Sequence, residues 1–366
     1  MSCDRSVYRD TLNPETSLSL KWNKAFDDDS VKEGLYGLKW TLSFVGATLP
    51  KRDPGIYIDD NIITIDIEKL GFTSEAQRHL RQLHDSIKVS GEYQTNQHVD
   101  LGRYVSLLLG SSQHYYALTG MPNTFEDLLG SYKLGSFKGY VTNSGVSREH
   151  RIISYSQQNG FHQLFLSTEI DSISGEILEY ETVDILPNGQ PRFGIFDLEG
   201  NLKISSDPKH SNGGKPSKCI WCHESGIQPL FKTQRSVSGY LSYPQLQDTL
   251  KAFKASHNEL KEDLNDGVNY AKKQRHTTTE LLYISFMEPS AHRLSLEWGI
   301  PETEIKKKLA HLKTHVHHEF PFLGALYYRK DVAAHAPFKG LPVSGSIREP
   351  SEVEVNYMNI GDEVAQ

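Results

Sequence analysis

The sequence predicts an α+β protein in which an N-terminal part ending in an antiparallel β-meander precedes a mostly helical part. Three observations carry that expectation. Between residues 151 and 202, short runs of alternating apolar residues are separated by tight-turn sequences, the pattern of half-buried strands. Between residues 244 and 312, apolar residues recur every three or four positions instead, the period of one helix face. Residues 207–216, Asp-Pro-Lys-His-Ser-Asn-Gly-Gly-Lys-Pro, are breakers and polar groups that separate the two patterns. The expected divisions are residues 1–206, residues 207–332 and an extended tail over residues 333–366.

Taken in order, the chain up to about Leu49 reads as irregular and polar, with scattered aromatics such as Trp22, Phe26 and Trp40. β-Branched residues on both sides of Asp59-Asp60-Asn61 predict a strand pair over residues 57–67. Ala76, Leu80, Leu83 and Ile87 place a helix over residues 75–87. A second helix is expected over residues 101–118, ended by Gly120 and Pro122. Strands over residues 161–170 and 176–185 flank a five-residue loop, and Asn188-Gly189 turns the chain into a strand at 192–196. Beyond the Gly-Gly loop, Leu246, Leu250, Phe253, His257, Leu260, Leu264 and Val268 form one helical stripe behind Pro244. A helix over residues 278–287 stops before Pro289, and Pro301 opens another with Ile305, Leu309 and Leu312 on its inner face.

At 366 residues the chain has room for two domains of the usual ~100–200 residues. Its net charge of −7, with Lys and Arg scattered, speaks against a broad basic face and so against a nucleic-acid partner. No apolar run reaches the ~18–20 residues of a membrane-spanning helix.

Chemistry concentrates in Cys219-Ile220-Trp221-Cys222-His223. Two thiols separated by two residues can reach the two vinyl groups of a haem, and a histidine directly after them can ligate its iron. Zinc is an alternative. A structural zinc site takes four ligands, so with no second cysteine pair it needs His223 and another histidine such as His210. A redox dithiol is a further alternative, although such pairs open a helix after a buried strand and here a glycine-rich loop precedes them. Chance occurrence of so short a motif is the last.

The pentapeptide resembles the attachment site of c-type cytochromes, over these five residues and their immediate neighbourhood. The resemblance implies covalent haem c on Cys219 and Cys222, iron ligation by His223, maturation outside the cytoplasm and electron exchange with a redox partner protein. Carriers of that kind use a second axial ligand, commonly methionine or histidine. Met287, sixty-four residues after His223 at the end of a short helix, stands at a separation similar to that in small class I cytochromes c. His257, a polar ring on an apolar stripe, is the rival. Core packing for the methionine and a backbone carbonyl partner for the histidine are their ordinary roles. A vacant sixth position, as in a haem enzyme, is the remaining option. Export agrees with Cys3, which with the polar Asp4, Arg5 and Ser6 behind it resembles the acylated first residue of a bacterial lipoprotein. The expected location is periplasmic or at the cell surface, with membrane contact through that anchor alone.

Two weaker signals carry structural expectations. His311, His315, His317 and His318 read as a solvated helix end, where imidazoles suit the C-terminal dipole. Residues 293–305 resemble a helix-turn-helix with Gly299 at the turn and Lys306, Lys307 and Lys308 on the second helix. The acidic total and an exported haem motif stand against DNA binding.

Overall fold

A computed structural model describes residues 12–224, 226–229, 231–264, 268, 277–348 and 354–358. In chain order its first elements are β1 (Ser17–Lys21), α1 (Val31–Phe44), β2 (Ile56–Asp59), β3 (Ile62–Asp66), α2 (Ser74–Lys88) and α3 (Gly91–Asn96). There follow β4 (Val99–Asp100), α4 (Leu101–Leu109), α5 (Ser112–Thr119) and α6 (Phe125–Gly130). A run of strands comes next: β5 (Gly139–Val141), β6 (His150–Tyr155), β7 (Leu164–Ile170), β8 (Ile177–Ile185) and β9 (Pro191–Phe196). The remaining elements are helical: α7 (Cys219–His223), α8 (Tyr243–Glu262), α9 (Thr277–Met287), α10 (Ala291–Trp298), α11 (Glu302–Lys308) and α12 (Arg329–Val332). Antiparallel strands in the N-terminal half and helices after Phe196 agree with a mixed α+β class.

The chain divides into two units, though not at the glycine-rich loop. One gathers residues up to Thr41, 47–106 and 278–342; the other gathers 42–46, 107–277 and residues from Val343 onward. Boundaries at 206/207 and 332/333 therefore cut through single units. Sequence period reports local burial, whereas membership of a unit depends on which distant segments share a core.

In the first unit the sheet order is β2-β3-β1-β4, with β1 antiparallel to β3 and parallel to β4. Leu18, Leu20, Ile63 and Ile65 point into the core, and Asp60 takes φ 56° in the turn between β2 and β3. α2 buries Ala76, Leu80, Leu83 and Ile87, and Thr73 caps it through its hydroxyl, which accepts from Ala76 N. β1 and α1 lie in the stretch expected to be irregular. β1 alternates over only five residues, and α1 carries two glycines that weaken its helical signal. Gly37 is there for packing: a Cβ would stand 2.5 Å from Leu282 Cδ1 and 2.8 Å from Thr278 O on α9. The helix expected over 101–118 is two helices, because the chain breaks at Gly110 and Ser111 caps α5.

In the second unit β5 to β9 form one antiparallel sheet in sequence order. α8 lies along one face, where Leu246 and Leu250 pack with Val141 and Phe165. Burying each such leucine contributes roughly 1.5–3 kcal/mol. Phe253 meets Tyr155 and Phe165 edge-on, at ring distances of 5.3 and 5.5 Å. The expected extended tail is partly packed here. Glu354 accepts from the buried Lys215 Nζ at 2.7 Å, and Met358 is fully buried. Its Pro and acidic content reads as solvated, but two apolar anchors and one buried ion pair decide otherwise.

Candidate functional site

The loop before the cysteines is fixed by charged and polar contacts. Lys215 Nζ donates to Gly110 O at 2.7 Å, and Ser217 Oγ donates to Leu109 O at 2.5 Å. Pro216 then opens a short 3₁₀ turn that leads into α7, a single turn ended by Glu224 at φ 50°. Helical spacing makes Cys219 and Cys222 neighbours on one side of that turn. No disulfide joins them; Cys222 is exposed and Cys219 half-buried. Burial pushes the Cys219 thiol up, so it stays protonated at neutral pH.

His223 packs against Phe193 at a ring distance of 5.5 Å. Its Nδ1 is shielded from solvent and has no hydrogen-bond partner among the described residues. Burial first, and the nearby Arg151 charge second, pull its pKa down to about 4. The ring is therefore neutral at physiological pH, the form that ligates a metal.

The imidazole forms part of the wall of a cleft of about 150 Å³ on the sheet face that α8 partly covers. Cofactor pockets typically run from ~300 to ~1,000 Å³, so the cleft is smaller than these, and neither Cys219 nor Cys222 lines it. Val141, Ile153, Phe165, Val183, Ile227 and Leu250 supply apolar wall, and Arg151 and Glu181, paired at 3.0 Å, supply a polar end. Gln234 holds one side in place by accepting from the Thr142 and Asn143 amides at 2.7 and 3.1 Å.

Behind the polar end lies a cluster that sequence reasoning missed. Arg151 on β6 stands opposite Glu169 on β7, which stands opposite Glu179 on β8, with Glu181 two residues on. The carboxylate oxygens of the three glutamates lie within 4.8 Å of one another. Arg151 pairs with Glu169 at 3.4 Å as well as with Glu181, and Lys203 pairs with Glu179 at 2.7 Å. Burial, opposed by Arg151, pushes the Glu169 carboxyl up to about 7. The available signal was Glu179-x-Glu181, two acids on one face of β8.

No family model, curated protein or solved structure matches this chain. The reading of the site rests on its own chemistry.

Of the other sequence candidates, His257 is engaged as a core histidine: its Nε2 lies 2.8 Å from Gly189 O and its ring meets Phe161 edge-on. Met287, half-buried at the end of α9, belongs to the first unit. Zinc ligation finds no gathered set. Among the described residues the three glutamates are the group of three donors that converges, and His210 Nδ1 instead lies 3.9 Å from Glu149. In the histidine-rich stretch, His315 Nε2 sits 2.6 Å from Glu288 and its ring stacks on Tyr328. The suspected helix-turn-helix is α10 and α11 joined at Gly299 (φ 65°), packed through Leu294, Trp298, Ile305 and Leu309. Cys3 lies outside the described residues. No helix among those residues is long and apolar enough to cross a membrane.

Proposed function

We propose that this chain is a mono-haem c-type electron carrier, matured outside the cytoplasm and working with a redox partner protein. One observation supports the reading above the others: His223, directly after two cysteines on one helical turn, presents a neutral imidazole to an apolar cleft. Cys219 and Cys222 would carry the thioether bonds and His223 would ligate the iron, which when bound supplies one-electron chemistry. The chain's own residues do the rest. Aliphatic walls exclude water, and Arg151, held by Glu169 and Glu181, closes the polar end. Covalent attachment would put the protein in the periplasm or at the cell surface.

Expression with haem-maturation machinery tests this. Haem that survives denaturation, and is lost on replacing Cys219 and Cys222 together by Ala, supports the reading. A colourless, zinc-containing protein overturns it. A second reading, a haem enzyme with an exchangeable sixth position, is favoured by the other cleft walls, which are aliphatic, aromatic, Ser, Gln, Arg and Glu. Carbon monoxide binding by the reduced protein would select it. Met287→Ala, read by loss of a thioether-to-iron charge-transfer band, tests the methionine named from the sequence.

A further inference from the structure

We infer that the cleft beside the five-stranded sheet binds a small primary amine, with an apolar body the size of one ring and its ammonium at Glu181. Neither cysteine takes part, so the site stands apart from the haem reading.

Sheet register builds the site. Phe165 on β7 lies opposite Tyr155 on β6 and Val183 on β8, which makes an apolar row across the sheet. Two residues along the strands the row is Ile153, Ser167 and Glu181, and two further on it is Arg151, Glu169 and Glu179. Side chains on one face recur every second residue, so this face passes from apolar through mixed to charged in three rows. The cleft draws on all three: Phe165 and Val183, then Ile153, Ser167 and Glu181, then Arg151 line it.

Size limits the apolar body. The volume of about 150 Å³ is close to the ~150 Å³ of an apolar cavity that takes up benzene. One ring fits, and two fused rings would overfill it.

Charge selects the head group. Three carboxylates, Glu169, Glu179 and Glu181, converge on two cations, Arg151 and Lys203. One negative charge is left over in a largely buried place, which is costly unless something neutralises it. A proton on Glu169, whose carboxyl is pushed up to about 7 by burial, is one way to meet that surplus. A cation in the cleft is the other. Glu181 is the carboxylate placed to receive it, being both in the cleft wall and partly exposed. Directly opposite Glu181, Ser167 Oγ is shielded from solvent and has no hydrogen-bond partner among the described residues, and neither has Glu179 Oε1. An ammonium brings three donors to these acceptors. An anion would instead find Arg151 already held by Glu169 and Glu181. The apolar row and the Glu181 row are two strand residues apart, ~7 Å, which a ring with a two-carbon arm spans.

The probe is therefore 2-phenylethylamine, titrated calorimetrically into the full chain at neutral pH. Phenylacetate keeps a ring and an arm but reverses the charge, and ethylamine keeps the head without the ring. The aryl amine is expected to bind about tenfold or more tightly than either. Its amide chemical-shift changes should centre on β7 and β8 around Ser167 and Glu181, a readout in the unaltered protein. Glu181→Gln, which keeps size at a partly exposed position, is expected to weaken the amine by about tenfold and to narrow its lead over phenylacetate. Absence of binding, equal binding of phenylacetate, or ethylamine binding as tightly as the aryl amine overturns the proposal. So do shifts that map away from β7 and β8, or an unchanged affinity in folded Glu181→Gln.

Discussion

The two units each bury a network of arginines and carboxylates, and the networks differ in their balance. In the first unit Arg103, Arg293 and Arg329 meet Glu92, Asp100 and Glu297, three charges against three. All six are nearly inaccessible, and the guanidiniums also surround the Phe286 ring at 4.9, 5.6 and 3.9 Å from its centroid. In the second unit three glutamates meet two cations beside an open cleft. A balanced, sealed network fixes how segments distant in sequence come together, since each ion is useless without its partner. An unbalanced network at a cavity is suited to exchanging charge with whatever enters.

The largest expected effect comes from unbalancing the first network. Glu297 accepts from Arg329 at 2.8 Å and from Arg293 at 2.6 Å, so Glu297→Leu strands two buried guanidiniums. We expect a loss of about 3–5 kcal/mol, the usual cost of removing one partner of a buried pair, seen as a lower denaturation midpoint. A loss no greater than that of an exposed glutamate would show that the network is dispensable.

Next in size is backbone packing in the same unit. A Cβ on Gly102 would lie 2.5 Å from Phe286 Cβ and 2.8 Å from Leu282 O. Gly102→Ala is expected to cost roughly 1–3 kcal/mol by overpacking, against the slight gain that alanine brings in an open helix. A stabilised variant would disprove the close approach of α4 and α9.

These two predictions mark where sequence reasoning stops. The meander was legible because its turns are chemical: Asn188-Gly189 accepts positive φ, and the strands on either side alternate. The helical stripe from Leu246 to Leu260 was legible for the same local reason. The cysteine motif was visible as a string, but the cleft beside His223 was not, since Val141, Phe165 and Val183 meet only through sheet register. Likewise Arg151 and Glu169 are ordinary surface types in a sequence, and only the pairing of β6 with β7 buries them together. The two-unit division escaped because α9 to α12 join β1 to β4 across an insertion of about 170 residues.

The second network gives a smaller effect, and one that depends on pH. Burial raises the Glu169 carboxyl from the ordinary 4.5 to about 7, so the folded state binds a proton more tightly than the unfolded state between those limits. Its contribution is therefore most favourable below about pH 4.5, is lost as pH rises toward 7, and is constant above. The difference between Glu169→Gln and the unaltered apoprotein, followed by denaturation across that range, should change by roughly 1–3 kcal/mol in favour of the variant at the alkaline end. His84 in the first unit works in the opposite sense. Burial lowers it to about 3, so its contribution is present above pH 6.5 and is lost as pH falls from 6.5 to about 3. A difference between variant and parent that stays flat from acid to neutral pH would mean that Glu169 titrates alike in the folded and unfolded states.

The smallest effect sharpens the comparison most, because geometry is held constant. Arg293 and Glu297 are four residues apart on α10 with a contact of 2.6 Å, and Lys306 and Glu302 are four residues apart on α11, also at 2.6 Å. The first pair is sealed, whereas the second is largely exposed. Water already solvates Lys306 and Glu302, salt screens them, and two long side chains lose freedom when they meet. Lys306→Ala should therefore leave the denaturation midpoint within error of the parent, and added salt should change neither protein's rank. If Lys306→Ala approached the loss seen with Glu297→Leu, contact distance would matter more than burial in this molecule. The contrast between sealed and open charge networks would then fail with it.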